Sequence, residues 1–129
     1  MIAIPLDNEH NTTISELYGR APFFALLDMQ SGAFKVIENE VVGKGPKSAE
    51  FLKAHNVSST IFFHMGEGVY KSFEENGMFV YSAEHKKMSI DEIFFKHLDK
   101  KLLQVDASNY KEKLDPGNGS VCTCGCENQ

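Results

Sequence analysis

Three thiols stand out first. Cys122, Cys124 and Cys126 are the only cysteines in the chain and alternate in the run VCTCGCENQ at its end. Thiolates are soft ligands suited to Cu(I), Zn(II) and iron–sulfur centres. In extended backbone, residues i, i+2 and i+4 project the same way. The spacing therefore predicts three sulfurs around one centre, with Gly125 letting the chain fold tightly. A closed zinc site needs a fourth ligand, which His64, His85, a second chain or a cluster's own sulfide would supply. An odd number of cysteines so close together cannot staple the fold. The expected setting is therefore a reducing, cytoplasmic one. A second reading is a thiol redox protein whose terminal cysteines cycle between dithiol and disulfide.

A second group is His64-Met65-Gly66-Glu67-Gly68. It follows an apolar run of strand type and precedes a helical pattern. Backbone N–H groups opening such a helix point at an anion, and His64 and Met65 are soft-metal donors. The plainer reading is a tight turn that needs glycine. The motif is not G-x-x-x-x-G-K-[ST], so nucleotide binding is unsupported. Arg20 is the nearest fixed positive charge, in Tyr18-Gly19-Arg20-Ala21-Pro22. It would pair bidentately with an anion or with Asp7 or Asp28. Asp7 and Asp28 at strand ends invite a nuclease reading. A two-metal site needs further converging carboxylates, and none is evident. No catalytic residue is assigned, and the chain is expected not to be an enzyme.

The elements that must position these groups follow from patterning. The 129 residues carry a net charge of −5, with 42% hydrophobic and 24% charged residues. That suits one globular domain and opposes binding to a nucleic-acid backbone. No apolar run reaches the ~20 residues of a membrane span. MIAIPLD has no basic flank and does not read as a signal peptide.

Residues 1–6 read as a buried strand, with a one-turn helix over Ile14–Tyr18 after a polar loop. Phe23–Asp28 and Ala33–Asn39 read as a hairpin, with Phe34 and Val36 inward. Pro46 opens a helix that ends near His55-Asn56. Ser59–His64 reads as a strand, Val69–Gly77 as a helix stopped by glycine, and Met78–Tyr81 as a strand parallel to the previous one. Residues 89–103 read as an amphipathic helix with a Ser89/Glu92 capping box. The reading is thus a domain over 1–103, a mixed five-stranded α/β sheet with about three helices. Residues 104–129 read as a flexible tether carrying the cysteines.

Tyr18-Gly19-Arg20-Ala21-Pro22-Phe23-Phe24 resembles the aromatic-Gly-Arg-Ala-Pro-x-Phe signature of the dinitrogenase iron–molybdenum cofactor biosynthesis family, the NifX-like proteins. Gly43-Lys44-Gly45-Pro46, His55-Asn56-Val57, Met65-Gly66-Glu67-Gly68 and Asn76-Gly77-Met78-Phe79-Val80-Tyr81 agree with it, so the likeness spans residues 1 to 95 or so. It implies a ribonuclease-H-like sheet in order 3-2-1-4-5. It also implies a small protein that binds an iron–sulfur or molybdenum-containing cluster and exchanges it with donor and acceptor proteins, as a monomer or weak homo-oligomer. Arg20, His64, Gly66 and Gly68 would form the docking face, with Cys122, Cys124 and Cys126 as metal ligands. Leu17 stands where nitrogenase-cofactor carriers often have His, which leaves a link to nitrogenase itself open. The reading from another class is a small-molecule or anion-binding regulatory module built on Gly66–Gly68.

Overall fold

The computed structural model describes residues 1–114. Every residue of β1 (Ile2–Leu6) is buried, and so is every residue of β4 (Ser59–Phe62). β1 is the continuous apolar run expected of a strand covered on both faces, whereas β4 opens with Ser59 and Thr60, the latter donating its hydroxyl to Ala3 C=O. β1 pairs antiparallel with β2 (Phe23–Leu27), which pairs antiparallel with β3 (Phe34–Glu38). On its other side β1 runs parallel to β4, and β4 runs parallel to β5 (Phe79–Ser82). β6 (Leu103–Val105) closes the order β3-β2-β1-β4-β5-β6. The five expected strands thus have the expected order, and a sixth is added.

Side chains alternate between the two faces of this sheet. Ala3, Phe24, Leu26, Phe62 and Val80 face α1 (Ser48–Ala54) and α2 (Glu67–Glu75), and join Leu52 and Phe73 in one core. Ile2, Ile4, Leu6, Leu27 and Ile61 face the other way, toward Ile90 and Ile93 of α3 (Ile90–Leu98).

The caps follow sequence rules. Ser89 Oγ accepts from Glu92 N–H at 3.1 Å. Gly77 ends α2 at φ 71°, with Met78 N–H donating to Phe73 C=O and Gly77 N–H to Glu74 C=O, a Schellman closure.

Four expectations need correction. The segment Ile14–Tyr18 is not helical. Ile14 N–H donates to Met88 C=O at 2.9 Å and Ser15 N–H to Pro5 C=O at 2.7 Å, so distant partners take the groups a helix turn would use. Phe34 is 42% exposed, because β3 is an edge strand; Val36 and Ile37 lean on the two different cores. The last long helix stops at Leu98 rather than 103. Lys100 takes φ 57°, and Lys101 N–H closes onto Lys96 C=O at 2.8 Å. The start of the expected tether is ordered: it forms β6 and a short α4 (Tyr110–Lys113), whose Tyr110 stacks on Tyr70 with ring centroids 5.2 Å apart. These residues answer to cross-strand and ring contacts that a local pattern does not record.

Candidate functional site

Tyr18 is the anchor of the loop that follows β1. Its ring meets Phe24 and Phe73 edge-on, at centroid distances of 5.5 and 5.7 Å. Its hydroxyl lies 2.5 Å from Thr60 Oγ1, which itself donates to Ala3 C=O at 2.9 Å. Thr60 has a single proton to give, so Tyr18 is the donor. Burial pushes the Tyr18 phenol far above its ordinary range. It is therefore a structural hydrogen-bond donor and not a titrating group.

Once Tyr18 is buried, the next residues are held at the surface. Gly19 packs against Gly45 so closely that a Cβ on Gly19 would lie 3.0 Å from Gly45 Cα. Gly43 N–H donates to Gly19 C=O at 2.8 Å. Asn39, 4% exposed, completes the join. Its Nδ2 donates to Ala21 C=O at 2.7 Å, its Oδ1 accepts from Val41 N–H at 3.0 Å, and its own N–H donates to Pro22 C=O at 2.9 Å. Sequence reasoning passed over Asn39. Its signal was an amide at a strand end, directly before a glycine-rich loop.

The third wall comes from the end of β4. His64 and Gly66 are exposed, and Met65 between them is 2% exposed. Gly66 is the N-cap of α2 and supplies no side-chain cap. The first N–H groups of a helix lack intrahelical partners, so they face outward here. Ser72 Oγ donates to Pro46 C=O and ties α2 to the turn Gly45–Lys47.

These three segments enclose a cleft of about 510 Å³. Arg20, His64, Met65 and Gly66 line it, with Gly19 and Gly45 at the back. Gly68 does not line it; it lies in the first turn of α2, where Val69 is the lining residue. Glu16 is the acidic group of the rim and pairs with Lys87 at 3.5 Å. Such a cleft, outside the carboxyl ends of parallel strands, is where ligands bind in open α/β sheets.

The donor set speaks to metal chemistry. Among the described residues no three of His, Cys, Asp and Glu converge on a point that could hold an ion. Arg20 and His64 bring a fixed charge and an imidazole to the cleft, while Met65 beside them is 2% exposed and packs into the core. Cys122, Cys124 and Cys126, the expected metal ligands, lie outside the described residues. Asp7 is occupied structurally, accepting from Ser15 Oγ at 2.5 Å. Asp28 caps the β2–β3 turn, accepting from Gln30 N–H at 2.8 Å. Among the described residues no helix is long and apolar enough to cross a membrane.

Comparison with known proteins gives a consistent result. Residues 1–99 match the family described as dinitrogenase iron-molybdenum cofactor. An uncharacterized protein of Methanocaldococcus jannaschii is 32% identical over an alignment of 108 residues that covers 78% of this chain and 87% of that one. The apo orange protein of Desulfovibrio gigas superposes with a TM-score of 0.71 at 16% identity, covering 81% of this chain and 91% of that one. A candidate NifB protein from Thermotoga, solved by NMR, gives a TM-score of 0.65 at 24% identity, covering 80% and 90%. At these identities the solved structures bear on the fold alone. The family match covers most of the chain, and the chain belongs to the dinitrogenase iron-molybdenum cofactor family.

Proposed function

We propose that the protein is a non-enzymatic carrier of a metal cluster, iron–sulfur or molybdenum-containing, acting in the cytoplasm between donor and acceptor proteins. The observation that carries this reading is the cleft in which Arg20 meets His64 and Gly66, more than forty residues further along the chain. The cluster is cargo. An anionic cluster suits the Arg20 guanidinium and the outward N–H groups of α2. Incomplete ligation by the domain suits release, since full encapsulation would hold the cargo too tightly. The thiolates of Cys122, Cys124 and Cys126 would complete the ligand set.

The test is metal and acid-labile sulfide content after anaerobic purification without an affinity tag. The native chain is compared with a variant in which all three cysteines are Ser. Stoichiometric metal in the native chain and its loss in the variant is the expected result. Equal metal in both would refute the role of the thiols. The uncapped N-terminus of α2 beside Arg20 also favours a second reading, a small-anion sensor. That reading predicts anion binding unchanged in the triple Ser variant and no cluster in either protein.

A further inference from the structure

We propose that His64 and His85 form a bis-imidazole site for one divalent ion of the copper–nickel–zinc class, at the rim of the cleft.

The register of the parallel strands brings the two residues together. Phe62 pairs with Ser82 across β4 and β5, and Ala83 N–H continues the ladder onto Phe62 C=O at 2.8 Å. His64 lies two residues beyond Phe62 and His85 three beyond Ser82, so both follow the carboxyl ends of neighbouring parallel strands. Their ring centroids are 5.0 Å apart, with planes inclined at 42°. Metal–imidazole bonds are about 2.0–2.1 Å, and a ring nitrogen lies ~1.1 Å from its centroid. Two rings on one tetrahedral ion then have centroids about 5 Å apart. The observed centroid spacing of 5.0 Å falls at that requirement.

Two further features hold the pair in place. Both rings rest on Phe63, which is 8% exposed, at centroid distances of 4.8 Å for His64 and 5.7 Å for His85. The backbone under His85 is strained: Glu84 and His85 take φ 55° and 60° in succession. Left-handed backbone is unfavourable for side chains other than Gly, Asn and Asp, and persists where surroundings over-determine it. Glu84 N–H is fixed by Ser82 Oγ at 2.9 Å, and Lys86 N–H by Ala83 C=O at 3.1 Å.

Lys87 Nζ lies 5.8 Å from the Phe63 ring centroid, and its charge is offset by Glu16. Imidazole nitrogen is the donor type that selects copper, nickel and zinc over calcium and magnesium.

The experiment uses the full chain with Cys122, Cys124 and Cys126 changed to Ser, so that no thiol competes. Zn²⁺ is titrated by calorimetry, and Cu²⁺ is added for electron paramagnetic resonance. One Zn²⁺ per chain is expected, with a Cu²⁺ spectrum showing two nitrogen ligands. Adding His64→Gln or His85→Asn should weaken Zn²⁺ about tenfold or more, because the second ring binds intramolecularly. Asn tolerates the left-handed backbone at position 85, and circular dichroism checks the fold of each variant. His55→Asn on α1 should change nothing. No Zn²⁺ binding, or binding that neither His variant weakens, overturns the proposal. The cluster reading is tested on the native chain by sulfide content, so the two can fail separately.

Discussion

The back of the cleft rests on two glycines, and Gly45 is the sharper test of its geometry. A Cβ on Gly45 would lie 2.7 Å from Val69 Cγ2. Carbon atoms in contact sit about 3.5–4.0 Å apart, so Gly45→Ala interpenetrates Val69 by roughly an ångström. Val69 is branched at Cβ on a helix and has little rotamer freedom to escape. Overpacking of this kind costs about 1–3 kcal/mol. Reduced freedom of the unfolded chain returns about 0.4–1 kcal/mol, so the variant should be less stable by about 1–2 kcal/mol. Val69→Ala removes the offending methyls from a half-buried site at a cost of about 1 kcal/mol. In the double variant the clash is gone, so the two costs should fall short of their sum by about 1 kcal/mol or more. Urea unfolding followed by circular dichroism on the four proteins measures the cycle. Strict additivity would mean that residues 45 and 69 do not touch, and the cleft as described would be wrong.

Three further perturbations probe the frame around the site. Asn39→Ala removes the amide that joins Ala21 to Val41 and leaves buried backbone groups without partners; it should cost about 1–3 kcal/mol in the same urea assay. An unchanged midpoint would refute the joining role. Ser48 Oγ is buried with no hydrogen-bond partner among the described residues. Ser48→Ala should therefore leave stability unchanged or raise it by about 0.5–1 kcal/mol, since an unsatisfied hydroxyl is removed and helix propensity improves. A clear loss would reveal a partner for that hydroxyl. Backbone N–H groups of Gln30 and Ser31 hold the Asp28 carboxyl below the usual carboxylate range. Its folded value is thus lower than its unfolded one. The contribution is full above the ordinary carboxylate range and is lost as pH falls through the folded value. Asp28→Asn should flatten the fall of the urea midpoint between about pH 6 and about pH 3, and an identical slope would refute it.

Much of this molecule was legible in local chemistry. The buried run at Ile2–Leu6 needs no partner to be recognised as a central strand, because water excludes it wherever it folds; Ser59–Phe62 is marked by the β-branched and aromatic residues that suit a strand. The Ser89 cap, the Gly77 stop and the Pro46 start act within one helical turn and depend on neighbours in sequence. The motif around Tyr18-Gly19-Arg20 and the turn around Gly66 were visible as residues able to meet an anion. Segments whose conformation depends on distant partners were misread. Ile14 and Ser15 gave their N–H groups to Met88 and Pro5 instead of to a helix turn. Residues 103–105 became a strand because β5 offered an open edge.

The sequence by itself therefore determined the five central strands and the helices that cover them, the five-strand order through the family resemblance, and the kinds of donor available. Only the tertiary structure decided which donors meet. It brought Arg20, His64 and Met65 to one cleft and left Gly68 off its wall. It set His64 beside His85 through the parallel register of β4 and β5, and it made Asn39 the bolt between two loops. The physical reason is one of range. Capping, turn chemistry and hydrophobic period act over a few residues, whereas proximity between residues 20 or more apart is created by sheet pairing and core packing.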